Sequence, residues 1–397
     1  MKLTVIGAGT GSEEYLSLRA RRAIAEAKTI YTTKRLGDCF AALNPAIEEL
    51  SLSELLRRLD GLGEAEEAAV VASGDVGFYS IAATLTKRYP AADIERIPGL
   101  SSFQYMTAKL GVGYEELKLC SLHGRSGGVV GPVSYHARCF FLTGGETKAH
   151  DLLRELVEAG LGGVSAAVGE NLSLPGERIL RGTAAELAEE TFSDLAVVYA
   201  ENPAAADPAR VLRDGDFVRA KVPMTKQEIR DLSLAKLALR PGDVAWDVGS
   251  GTGSVSIAMA YRACEGAVWA IEKNPEALAL AQENRARLGA FNLRLVGGEA
   301  PADLRDFPAP DKVFIGGSGG NLEDIFALIL EKNPAARIVV NAVTLETLEE
   351  ARRCFTRFGL EWEAVCVSAA YAEKLGRYHL MKAQNPVYIL TGEKGDE

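Results

Sequence analysis

The sequence predicts an α/β protein of two domains, each built around a largely parallel sheet. Three observations carry that expectation. The 397 residues exceed the ~250–300 at which a single hydrophobic core stops growing. Short apolar runs alternate with helical patterns along the whole chain, as in layered α/β folds. Glycine turns follow several of the strand-like runs, where open parallel sheets place ligands.

The elements read in order as follows. Residues 3–6 form a strand, 16–27 a helix and 29–32 a strand, with further strands at 68–72, 94–97, 138–143, 164–168 and 195–199. Helical patterns lie around 79–88, 101–110 and 147–159. Prolines and small residues over 202–208, then Arg213-Asp214-Gly215-Asp216, break the periodicity as a linker does. This divides the chain into domains 1–208 and 209–397. Beyond the break, strands are expected at 244–248, 268–271, 293–296, 337–340 and 387–390, with a helix at 254–262.

Composition bounds the function. The chain is 47% hydrophobic and 25% charged, as ordinary soluble proteins are. No apolar run approaches the ~20 residues of a membrane span, so no membrane partner is expected. The opening residues read as a strand and not as a signal peptide. Six cysteines without Cys-x-x-Cys pairing and four scattered histidines have no metal-site spacing, and a cytoplasmic protein with reduced thiols and no metal is expected. The net charge of −10 argues against nucleic acid as a partner. It is unevenly spread: residues 1–208 carry 20 basic and 28 acidic groups, residues 209–397 carry 24 and 26. Local basic clusters must therefore hold any anionic substrate, and the densest late one is Lys374 to Lys382, with Arg377 within it, expected either as a loop folding over a flat anionic substrate or as a solvated basic hairpin.

The most informative segment is Trp246-Asp247-Val248-Gly249-Ser250-Gly251-Thr252-Gly253. Its glycines let backbone approach a ligand, and Glu272, ending the next strand, is placed to accept hydrogen bonds from ribose hydroxyls. The spacing is not the Gly-x-Gly-x-x-Gly of dinucleotide sites. It is Asp-x-Gly-x-Gly-x-Gly, which resembles the first motif of Rossmann-like methyltransferases that use S-adenosylmethionine. Val222 to Glu228, Gly298-Glu299-Ala300-Pro301, Asp311 to Gly320 and Asn341 to Leu348 complete a resemblance to the decarboxylating corrinoid C15-methyltransferases over nearly all of 216–392. That resemblance implies cofactor contacts from Thr225, Gly249, Ser250, Gly251, Thr252, Gly253, Glu272 and Ala300. One departure is Glu299, where Asp is more usual.

The amino-terminal half has three glycine turns of its own: Gly7-Ala8-Gly9-Thr10-Gly11, Ser73-Gly74-Asp75-Val76-Gly77-Phe78 and Pro98-Gly99-Leu100-Ser101-Ser102. Together they resemble the tetrapyrrole (corrin and porphyrin) methylase family, which implies a two-lobed α/β domain. Thr10, Asp75, Phe78, Ser101 and Ser102 would line its S-adenosylmethionine pocket. Thr10 and Val76 stand where that family usually has proline. Ser121-Leu122-His123-Gly124-Arg125 resembles the branch that methylates corrinoid position C5. By chemistry alone, His123 and Arg125 either meet a substrate carboxylate and move a proton or belong to a solvated loop.

A C5-type half followed by a C15-type half resembles the bifunctional C5,C15-methyltransferases of corrin synthesis. The implied activity is methylation of a precorrin, metal-free or cobalt-bearing, at two meso carbons with loss of the C12 acetate carboxyl. Two S-adenosylmethionine sites per chain, His123, Arg125 and Arg377 as catalytic residues that meet the substrate, and a homo-oligomer are expected. The alternatives are a two-domain methyltransferase acting on another substrate, or an amino-terminal half that only binds the tetrapyrrole.

Overall fold

The computed structural model describes residues 1–122, 128–144 and 147–395. It divides into two compact units. One holds the described residues of Met1–Arg125, Arg138–Leu153 and Ser165–Ala200; the other holds those of Ser126–Ala137, Arg154–Val164 and Glu201–Glu397. The sequence-based boundary at 208/209 falls inside the second unit's last segment.

In the first unit, alanine and valine run through strand Glu67–Ala72, which is buried on both faces at the centre of a five-stranded sheet. The order is Ile47–Glu49, Ile30–Thr32, Glu67–Ala72, Lys2–Gly7, Asp93–Ile97, and all four adjacent pairs are parallel. Central strands of a parallel sheet are covered on both sides, so they read as unbroken apolar runs. Helix Leu18–Glu26 buries Ala20 and Ile24 on one side; Leu52–Asp60 buries Leu55 and Leu59 on the other. A second five-stranded sheet has the order Lys118–Ser121, Arg138–Leu142, Ala196–Glu201, Ser165–Glu170, Arg178–Thr183, the last two antiparallel.

The second unit has one seven-stranded sheet. Its order is Leu293–Gly297, Ala267–Glu272, Val244–Val248, Lys312–Ile315, Arg337–Ala342, Val387–Glu393, Glu361–Val367. The first five strands are parallel and the last two antiparallel to their neighbours. The chain starts this sheet at its middle and turns back across Val244–Val248, so the strand order reverses there. Ligands of open α/β sheets lie outside the carboxyl ends at that reversal. Trp246 anchors the strand: it is fully buried, and its indole N–H donates to Pro308 O at 2.9 Å. Helix Val130–Tyr135 is buried throughout and belongs with this unit because Tyr135 donates to Asn292 Oδ1 at 3.0 Å and packs edge-on against Tyr261.

The expected strands and helices occur, several shortened by a residue or two. The basic segment 374–382, which the sequence leaves open between a substrate-covering loop and a solvated hairpin, is a β-hairpin, Ala370–Leu375 paired with Tyr378–Ala383. Gly376, at φ +63°, takes the first place of its two-residue turn.

Candidate active sites

In the first unit, the three glycine turns converge at the carboxyl ends of Lys2–Gly7, Glu67–Ala72 and Asp93–Ile97. Gly9 and Gly74 exchange backbone hydrogen bonds of 3.1 and 2.7 Å, and Ala8 N donates to Ala72 O at 2.8 Å. A Cβ on Gly99 would stand 2.5 Å from both Gly7 O and Gly74 O, so only glycine lets the three turns meet. Asp75 locks the arrangement: its carboxylate accepts from Gly77 N at 2.8 Å and from Gly99 N at 3.1 Å.

These turns wall a cavity of about 910 Å³ lined by Thr10, Phe78, Ser101 and Ser102 among others. Four of the five residues expected there thus face one space. Asp75 does not line it, because its oxygens are engaged with the turn amides. Thr10 hydrogen-bonds the Ser173 hydroxyl, and Phe78 packs edge-on against Phe103 at 5.0 Å. Strand Lys118–Ser121 reaches the same cavity through Leu119 and Ser121. His123 and Arg125, which follow it, lie outside the described residues.

In the second unit, a cavity of about 720 Å³ opens at the strand-order reversal. Thr225, Asp247, Gly249, Ser250, Gly251, Thr252 and Glu272 line it. Glu272 ends its strand with Oε2 accepting from Gly251 N at 2.7 Å and Oε1 from Asn274 N at 2.9 Å. The acid is thereby tied both to the glycine loop and to Asn274, which caps helix Pro275–Arg287. Asn284 pins the loop from beneath, donating to Thr252 O at 2.9 Å. Arg230, fully buried, donates to Thr225 O at 3.0 Å and to Leu212 O at 2.7 Å, which fixes the segment carrying Thr225.

Asp247 is the most perturbed group of this site. Burial pushes its carboxyl up to about 7, with the nearby Glu272 adding to the rise and the Ser256 hydroxyl opposing it. One oxygen accepts from Ser256; the other, Oδ1, is buried without a partner, as are the hydroxyl oxygens of Ser250 and Thr252.

Three expected contacts fall elsewhere. Gly253 starts helix Ser254–Arg262 at φ +78°, and a Cβ there would meet Ala281 Cβ at 3.0 Å; it serves helix packing and does not line the cavity. Ala300 packs on the apolar core beneath the sheet, its carbonyl accepting from Asn321 Nδ2 at 3.3 Å. Arg377 sits at the turn of an exposed hairpin, its guanidinium over the Tyr378 ring at 4.9 Å, and lines neither cavity. The base of that hairpin does reach the second cavity, through Ala369, Tyr371 and Gln384. Tyr371 donates to the Glu228 carboxylate, which raises the phenol to about 12 and lowers Glu228.

Sequence reasoning overlooked Asp247, Tyr371 and Asn341 as cavity residues. A signal existed for the first, an acid inside an apolar strand. For the other two, only the folded sheet brings them to the cavity.

Two family models match: "Tetrapyrrole (Corrin/Porphyrin) Methylases" over residues 2–188 and "Precorrin methyltransferase domain" over 216–394. A relative from Sinorhizobium sp. named precorrin-6Y C(5,15)-methyltransferase (decarboxylating) is 34% identical over 352 residues, covering 87% of this chain and 85% of its own. The chain belongs to the precorrin-6Y C(5,15)-methyltransferase family. Within reach of the same family stands a probable cobalt-precorrin-6B C(15)-methyltransferase of Pyrobaculum calidifontis, 43% identical over 44% of this chain and 91% of its own. A crystal structure of precorrin-6Y C5,15-methyltransferase from Geobacter metallireducens GS-15 is 41% identical, with a TM-score of 0.44 over 46% of this chain and 97% of its own. The family expected from the motifs is the family found, and its members are methyltransferases. Among the described residues, no His, Cys, Asp and Glu group stands ready to hold a metal ion, and no helix is long and apolar enough to cross a membrane.

Proposed function

We propose that this chain methylates a precorrin at C5 through residues 1–208 and at C15 through residues 209–397, with loss of the C12 acetate carboxyl. The observation that carries this reading is the pair of separate cavities, one in each unit, both formed by glycine turns at the carboxyl ends of parallel strands.

S-adenosylmethionine fits the second cavity on structural grounds. Asp247 Oδ1, Ser250 Oγ and Thr252 Oγ1 are buried beside it without partners, and a buried polar group left unpaired costs about 1–3 kcal/mol. A ligand carrying hydroxyls and an ammonium brings the donors they lack. When bound, it supplies a methyl group already activated on a positively charged sulfur.

The chain's own residues then orient and desolvate. Glu272 offers the lone pairs that Gly251 N and Asn274 N leave free, and those two amides hold it in register for a ribose. Thr225, fixed by Arg230, closes one side, and Tyr371 closes the other through Glu228. In the first unit, Thr10, Ser101 and Ser102 offer polar contacts, while Phe78, Leu119 and Leu142 give apolar surface for a flat ring. Alignment of this kind turns an encounter into an effectively unimolecular step. The nucleophile is the electron-rich ring carbon, and the conjugated macrocycle takes up the electron pair released when the carboxyl leaves.

The test is mass spectrometry of products from the full chain with S-adenosylmethionine and either precorrin-6B or its cobalt form. Two methyl groups gained and one carboxyl lost are expected, and the better substrate of the two identifies the branch. A product with a single methyl contradicts the reading.

A further inference from the structure

Arg35 stands out in the first unit as a charge the fold itself leaves unanswered. It lies on helix Lys34–Phe40 and lines the 910 Å³ cavity; among the described residues lining that cavity it is the only charged one. Its Nη2 donates to the Ser73 hydroxyl at 2.6 Å, and Ser73 lines the cavity too. Its Nη1 is buried with no hydrogen-bond partner, and no carboxylate among the described residues forms an ion pair with the side chain. The first glycine turn makes room for it: a Cβ on Gly11 would stand 3.3 Å from Nη1. Burial lowers its affinity for the proton, the direction expected of a cation withdrawn from water without a counter-charge.

A guanidinium so placed is costly unless an anion meets it. Its planar fork matches a carboxylate by two parallel hydrogen bonds. The surrounding half of the chain is acidic, so long-range attraction does not bring an anionic ring to this cavity; a local donor must.

We infer that Arg35 is the carboxylate-binding residue of the amino-terminal cavity, holding an acetate or propionate arm of the ring. This rests on the C5-transfer reading above. Methionine's own carboxylate in the cofactor offers the same chemistry, and the experiment separates the two sources.

Arg35→Gln and Arg35→Lys are made in the full chain, with Arg19→Gln, an exposed arginine on the same unit, as control. Circular dichroism and melting temperature establish folding. In C5 transfer, Arg35→Gln raises KM for precorrin-6B roughly 10- to 100-fold, with kcat changed far less and Arg35→Lys restoring part of the loss. S-adenosylmethionine affinity by calorimetry stays at the wild-type value. If that affinity falls instead, while decarboxylated S-adenosylmethionine binds wild type and variant alike, the carboxylate is the cofactor's. Unchanged KM and unchanged cofactor affinity in a folded Arg35→Gln protein overturn the inference. A wild-type chain that forms no C5-methylated product contradicts the functional reading instead. Quenching titrations with coproporphyrin, which has four carboxylates, against octaethylporphyrin, which has none, then decide the role of Arg35: a coproporphyrin affinity equal in Arg35→Gln and wild type overturns it.

Discussion

Asp247 and Glu272 are two acids a short reach apart in one cavity, and their surroundings push them to different tasks. Glu272 receives two backbone amides and holds its position. Asp247 is buried with a free oxygen and titrates near 7. Its folded pKa lies above the unfolded value, so the protein favours the protonated form. That contribution to stability is fully present below about pH 4 and is lost as pH rises through 7. The Asp247→Asn variant lacks the titration, so its stability relative to wild type should improve from pH 4 to pH 8, by up to ~4 kcal/mol. Thermal melts of the ligand-free proteins across that range check it, and parallel curves would refute it. Glu272→Ala should weaken cofactor binding at the second site by about 1–3 kcal/mol and impair C15 transfer while sparing C5 transfer. Asp75→Ala should impair C5 transfer alone, and the structure supplies the route: Gly77 N and Gly99 N lose their acceptor and the turns relax. Equal loss of both reactions in either folded variant would contradict two separate sites.

At the scale of elements, the hairpin Ala370–Leu375/Tyr378–Ala383 is where sequence and structure diverge most. Its basic residues suggested a loop closing over a macrocycle. The Gly376-Arg377 pair between two residues of strand propensity, Leu375 and Tyr378, was the available hairpin signal. From Tyr371, which lines the second cavity, to Arg377 is six residues of extended chain, roughly 20 Å at ~3.3 Å per residue. The part of this hairpin that walls the second cavity therefore lies at its base. Tyr371→Phe removes the bond to Glu228 and should raise KM for the C15 substrate several-fold, about what one solvent-exposed hydrogen bond is worth, with cofactor affinity unchanged; an unaltered KM removes Tyr371 from the wall. Arg377→Ala retains its own test. A higher KM in C15 transfer, larger at low salt, would keep it as a ring contact by way of the hairpin tip; unchanged kinetics would return it to ordinary surface.

Legibility follows from how local each signal is. The glycine turns were readable because each needs a residue without Cβ at the end of an apolar strand, a rule written in a few consecutive positions. Thr10, Ser101, Ser102, Ser250 and Thr252 came with them. Gly253 and Ala300 came too, although packing against Ala281 and the core beneath the sheet takes them out of the cavity. Arg35 and Asn341 reach their cavities only through helix placement and strand order, which no local pattern states.

Across the whole molecule, each unit has its own sheet-end cavity, which makes two independent cofactor sites in one chain the central prediction. The turns that form them differ in kind. In the first unit, three glycine turns meet with Asp75 tying them together; in the second, a single glycine loop is held between Glu272 and Asn284. Two sites of unequal affinity are therefore the expected outcome. Calorimetric titration of the full chain with S-adenosylhomocysteine, which binds without turning over, tests this most directly. About two molecules bound per chain are expected, with Glu272→Ala weakening one binding step and leaving the other intact. A single binding event per chain would contradict that expectation.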